Sequence, residues 1–125
     1  MDESWFADEK KLAGVVNFKR ALVFIAFRRK GRLTASVKSF TGLATLGHLN
    51  IKERQRHHLS AAAEDGRVKL VAVTKDREVI VLSETGNESG KVVYFDPGWY
   101  RIRAIGLKAS FHMTLGLQDI EPKKG

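Results

Sequence analysis

Apolar side chains recur along this chain in short runs, either alternating with polar ones or continuous over a few residues, a pattern that favours strands over long helices. Ser4 caps a short helix predicted from Trp5 to Lys11 or Leu12, closed by Gly14, with Trp5 and Leu12 seven residues apart on one face. Val15 to Phe18 begins an extended stretch. Ala21 to Phe27 is the most apolar run, seven residues long, and reads as a strand buried on both faces. Arg28 to Gly31 forms a turn. Beyond it Leu33, Ala35 and Val37 alternate with Thr34, Ser36 and Lys38, the period of a half-buried strand. Together these segments predict an N-terminal β-hairpin in which Gly31 supplies the turn geometry.

Residues 39–49 show no clean period and read as a loop packed by Leu43, Leu46 and Leu49. Asn50 then caps a predicted main helix from Ile51 to about Asp65, ended by Gly66. Its buried stripe of Ile51, Gln55, Leu59, Ala62 and Ala63 is thin. From Arg67 the pattern returns to strand: Arg67–Thr74, Glu78–Ser83, Lys91–Phe95, Trp99–Ile105 and Leu107–Leu117. Turns are expected at Lys75–Asp76–Arg77 and Asp96–Pro97–Gly98. Short connections favour antiparallel neighbours. The expected fold is α+β: an N-terminal hairpin, one main helix and a C-terminal antiparallel meander. A β-sandwich or small barrel carrying a helix is the alternative. The tail, Glu121 to Gly125, is expected to fray.

At 125 residues and 43% hydrophobic content the chain suits a single domain with one core. It contains no cysteine, which excludes disulfides, thiolate metal sites and thiol catalysis. Residues 1–9 carry four acids and no base, unlike a secretory signal, and the apolar run falls far short of the ~20 residues a membrane helix needs. A cytoplasmic protein with no membrane association is the expectation.

Charge changes the picture. Lys and Arg number 22 against 14 Asp and Glu, a net charge of +8. The excess is not spread evenly: residues 10–63 hold twelve bases and one acid, whereas residues 64–125 hold ten bases and nine acids. A patch of this sign attracts polyanions.

Chemistry of other kinds is thin. His57 and His58 are adjacent, and His48 and His112 lie apart from them, so no metal-ligand spacing occurs. Gly86–Lys91 is one residue short of a phosphate loop, and Val92 stands where Ser or Thr would bind magnesium; a hairpin loop accounts for it. No nucleophile elbow or dinucleotide fingerprint is present. Neither catalysis nor a cofactor is expected.

Two constellations suit binding. Arg28, Arg29, Lys30 and Arg32 cluster at the hairpin, and Lys52, Arg54 and Arg56 lie on the first turns of the predicted helix, where bases oppose the helix dipole but reinforce an anion site. On the last strands, Trp99, Arg101 and Arg103 share one face with Lys108 and His112 if Tyr100, Ile102 and Ala104 face the core. Aromatic and guanidinium groups on a sheet suit single-stranded nucleic acid. The expected function is non-enzymatic nucleic-acid binding by the basic N-terminal half, with Trp99, Arg101 and Arg103 as a secondary platform. The alternative is a protein-interaction module, an inhibitor, immunity or assembly subunit, docking its basic face on an acidic protein.

Overall fold

A computed structural model describes residues 3–14 and 17–117, apart from the side chains of Phe18 and Lys19. Val15, Val16 and the tail lie outside the described residues. The fold is α+β, and every strand pairing is antiparallel. A 3-10 turn (Glu3–Ala7) leads into helix α1 (Glu9–Ala13). The strands are β1 (Phe18–Arg20), β2 (Val23–Arg29), β3 (Arg32–Ile51), β4 (Gln55–Thr74), β5 (Val79–Ser83), β6 (Glu88–Phe95) and β7 (Gly98–Leu117).

Three strands of 20 residues each, β3, β7 and β4, lie side by side with β7 in the middle. Both β1 and β2 pair with β3, at different heights, and both β5 and β6 pair with β4. Each long strand turns a corner near its midpoint, and the three corners coincide. Register shifts fall between Val37 and Gly42 in β3 and between Ala63 and Arg67 in β4. Ser39, Gly66 and Lys108 adopt left-handed φ values of 54°, 71° and 50° there. Bulges of this kind bend a strand and raise its twist. Gly66 is required twice over, by its φ and because a Cβ would collide with the Lys108 carbonyl oxygen.

The sheet therefore folds over on itself. One layer holds β2, residues 32–38 of β3, 109–117 of β7, 55–63 of β4 and β6. The other holds β1, residues 41–51, 98–107 and 67–74 of the same long strands, and β5. Leu33 of the first layer meets Gly47 of the second, where an added Cβ would lie 2.8 Å from Leu33 Cδ1. Leu59, Phe95, Phe111, Met113 and Leu115 from the first layer share one buried cluster with Leu49, Leu70 and Ile102 from the second. No pairing joins β1 or β2 to β5 or β6 among the described residues, so the sheet is open and not a barrel.

Several sequence expectations change. The main helix is absent: residues 55–63 belong to β4, where His57 and Leu59 are buried and Arg56 and Ser60 exposed. A period of two runs beneath the alanine-rich composition that imitates a helix. The helix of this fold is N-terminal instead, and Asp8, not Ser4, caps it by accepting from Lys11 N. Residues 39–49 are strand and not loop; the shifts at Phe40, Gly42 and Gly47 destroy the period a strand would show. Trp99–Ile105 and Leu107–Leu117 are two arms of β7 and do not pair with each other, so the C-terminal region is no simple meander. Segment 84–87 carries the chain from one layer to the other and is not a hairpin loop, since β5 and β6 both pair with β4. The N-terminal hairpin is present, closed by Lys30 and Gly31 at φ 52° and 77°, the signature of a type I′ turn. Its β2 strand is not buried on both faces: Ile25 and Phe27 are exposed.

Candidate functional site

The two outer faces of the folded sheet differ. On the second layer, the outer face is covered by the N-terminal segment. Phe6 and Leu12 pack on Leu43 and Ile105, and Ala13 packs on Val71 and Val73. A five-residue helix has little stability of its own. Side chains of the sheet hold its carbonyl end. Arg103 donates to Leu12 O at 2.7 Å, to Lys11 O at 3.2 Å and to Gly14 O, and reaches Asn17 Oδ1 at 3.2 Å. Arg101 donates to Ala13 O at 2.7 Å and Gly14 O at 2.6 Å, and Lys69 Nζ to Phe6 O at 2.8 Å. Cations at a helix C-terminus satisfy orphan carbonyls and complement the dipole.

Arg101 and Arg103 do share the outward side of β7, with Tyr100, Ile102 and Ala104 in the core. The face they occupy is roofed, and Arg103 is 0% exposed. Burial and the neighbouring Arg101 push its pKa down to about 10, which leaves it charged at neutral pH. Neither arginine can meet an external ligand without lifting α1. Trp99, at the strand end, remains 40% exposed and stacks on His48, with ring centroids 5.1 Å apart. Lys108 is exposed at the corner and His112 on the other layer, so the five residues do not form one platform.

The first basic group fares differently. The β2–β3 turn, the β3–β4 connection and the start of β4 all lie at the open end of the folded sheet, opposite the three corners. Seven bases are exposed there: Arg28, Arg29, Lys30, Arg32, Lys52, Arg54 and Arg56. Glu53 and Asp96 stand among them. Arg54 Nη1 lies 3.0 Å from Asp96 Oδ1 and its guanidinium sits 4.9 Å from the Tyr94 ring centre; an exposed ion pair of this kind holds little energy. Arg28 stands on the inward-facing side of β2 and, though exposed, donates across to His48 O of the second layer at 3.1 Å. Burial, then the charge of Arg28, lowers the pKa of His57, which sits edge-on to Phe95. With the helix gone, the anion site proposed at its N-terminus goes too. The bases are still gathered, by strand connections.

The sequence reading missed the outer face of the first layer. Among the described residues nothing roofs it. Phe27 and Ile25 stand on β2 at 50% and 54% exposure, and Tyr94 and Val92 on β6 at 53% and 44%. The signal was available in β2, where Phe24 and Ala26 alternate with Ile25 and Phe27, but a continuous apolar run hides such alternation.

Among the described residues no group of three or more His, Asp or Glu side chains is arranged to hold a metal, and no helix is long and apolar enough to cross a membrane. No family model matches the chain, and no curated protein matches it. Among solved structures, the chain is similar to protein NMB1881 from Neisseria meningitidis, at 15% identity and a TM-score of 0.35, over 81% of this chain and 88% of that one.

Proposed function

We propose that this chain is a nucleic-acid-binding module that uses the open, basic end of its folded sheet. The observation that carries the reading is the gathering of Arg29, Lys30, Arg32, Lys52, Arg54 and Arg56 on two segments, the β2–β3 turn and the run from the β3–β4 connection into β4, all exposed, with Glu53 and Asp96 among them. Bases on unrelated segments converging on one end make a field that a phosphate backbone would feel before contact. Arginine predominates, and its planar fork suits bidentate phosphate contacts better than a lysine point charge. Trp99, on the neighbouring rim, adds an aromatic surface to that end; Arg101 and Arg103 are not part of the proposed interface.

The test is fluorescence anisotropy with labelled DNA and RNA, single- and double-stranded, over a salt series. A protein neutralising Z duplex phosphates loses affinity with a log–log salt slope of about −0.9Z, and Z of about 3–6 is expected here. No binding to any of the four below about 100 μM at physiological salt, the weak limit of ordinary non-specific affinity, would overturn the reading. An acidic protein partner would then be the better account of the same surface.

A further inference from the structure

The outer face of the first layer has a composition that neither the core nor solubility explains. Cross-strand register places its outward side chains in rows. Arg29, Arg32, Gly116, His58 and Val92 form one row across β2, β3, β7, β4 and β6. The next is Phe27, Thr34, Thr114 and Ser60, and the third Ile25, Ser36, His112 and Ala62. Beyond the first row, towards the open end, Arg56 is paired with Tyr94.

The middle of this face is therefore low and polar, while large apolar side chains stand at both edges. The four spacings from β2 to β6, at about 4.8 Å each, separate those edges by about 19 Å. In the third row Ser36 Oγ and His112 Nδ1 are 2.8 Å apart. They border a shallow hollow of about 180 Å³ that also touches Lys38 and Glu64. The charged side chains of the outward rows are Arg29, Arg32, Lys38 and Arg56 against Glu64, which lies near the corner.

We propose that this uncovered face is a platform for single-stranded nucleic acid, with bases stacked on Phe27 and Tyr94 at its two edges and the sugar–phosphate chain held by Arg29, Arg32 and Arg56. It rests on the nucleic-acid reading above and extends it from charge to strandedness. Charge complementarity selects a polyanion. The exposed aromatics select one whose bases are unstacked, because a duplex presents phosphates outward and would leave Phe27, Ile25 and Val92 against water. Every base has a π-face, so stacking of this kind tolerates any sequence. Arg54 already lies against the Tyr94 ring, so a base on the opposite face of the ring would complete a stack with the guanidinium.

The experiment compares a labelled single-stranded 12-mer with the duplex of the same sequence, by anisotropy, on the full chain. The variants are F27A/Y94A and F27L/Y94L, both at exposed sites, and thermal melting verifies that each is folded. The leucine pair keeps apolar area but removes the π-face. Single-strand affinity is expected to fall at least about 5-fold in both, since stacking on one aromatic side chain corresponds to at least that factor; duplex affinity should stay within about 2-fold. Equal losses on both ligands, or no loss on the single strand, overturn the platform while leaving the basic-end reading standing. Binding to neither ligand by the wild-type protein overturns both. Should labelled polyglutamate bind tighter than the single strand and depend on Phe27 and Tyr94, the face belongs to an acidic protein and the platform is overturned.

Discussion

Replacing Arg103 by methionine keeps much of the buried apolar stem and removes the guanidinium that holds α1 to the sheet. Arg103 is fully buried and reaches three successive regions of the helix end, Lys11 O, Leu12 O and Gly14 O, as well as Asn17. A hydrogen bond to a charged group contributes about 1.5–3 kcal/mol, and an orphaned buried carbonyl costs about 1–3 kcal/mol. These do not simply add, because the segment can lift and let water reach the carbonyls. The loss is then limited by what docks residues 3–14. Burying Phe6 and Leu12 gives about 1.5–3 kcal/mol each, against an ordering cost of about 1–2 kcal/mol per residue, so docking depends on Arg101, Arg103 and Lys69. We expect Arg103→Met to cost about 2–4 kcal/mol. At about 3–5 °C per kcal/mol for a chain of this size, the melting temperature should fall by about 6–20 °C. Hydrogen exchange should accelerate at the amides of Leu12 to Gly14 and at the backbone of β5, while residues 109–117 keep their protection. Arg103→Lys retains one donor direction and should fall between the two. A melting temperature within about 2 °C of wild type, roughly half a kcal/mol, with unchanged exchange in α1, would refute the reasoning.

Gly66→Ala should destabilise by about 2–4 kcal/mol, combining a left-handed φ with a clash on the Lys108 carbonyl; a denaturant midpoint equal to wild type would mean the corner is not held as described. His57 titrates below its ordinary 6.5 because it is buried and faces Arg28. The unfolded chain takes up this proton first as pH falls, so the contribution is complete above about pH 6.5 and declines below it. Melting temperature should therefore drop between pH 7 and pH 5, and less steeply in His57→Phe, which keeps a ring against Phe95; parallel pH profiles would contradict the assignment.

How far the sequence led is clearest at particular residues. Leu33, Ala35 and Val37 alternate without interruption, and the hairpin they belong to is as expected. The β4–β5 turn is likewise present, with Arg77 N donating to Thr74 O at 2.9 Å. Failure came wherever a strand bends. Phe40, Gly42 and Gly47 sit at register shifts, and each shift moves the apolar side by one residue, so the period vanishes. At residues 51–65 local propensity favoured helix, and pairing with β7 and β6 overrode it. The reversed charges and thin stripe already argued against that helix. Arg101 and Arg103 were assigned to the correct side of their strand, but sequence alone gives no sign that a five-residue helix far away in the chain would cover them. Conversely, the basic end was legible as charge asymmetry, since the corners return distant segments to one place.

The account stands on position, not total charge, and one comparison isolates it. The triple variant R29Q/R32Q/R56Q removes three exposed bases from the open end and its face, and K10Q/R20Q/K108Q removes three exposed bases from the helix, from β1 beside the corner and from the corner itself. Both lower the net charge equally. Measured side by side on a single-stranded oligonucleotide at fixed salt, the first should lose at least about 10-fold in affinity and shed roughly two to three from the salt slope, while the second changes little. Equal losses in the two variants would mean that only net charge is felt, and would contradict a defined interface at this end of the sheet.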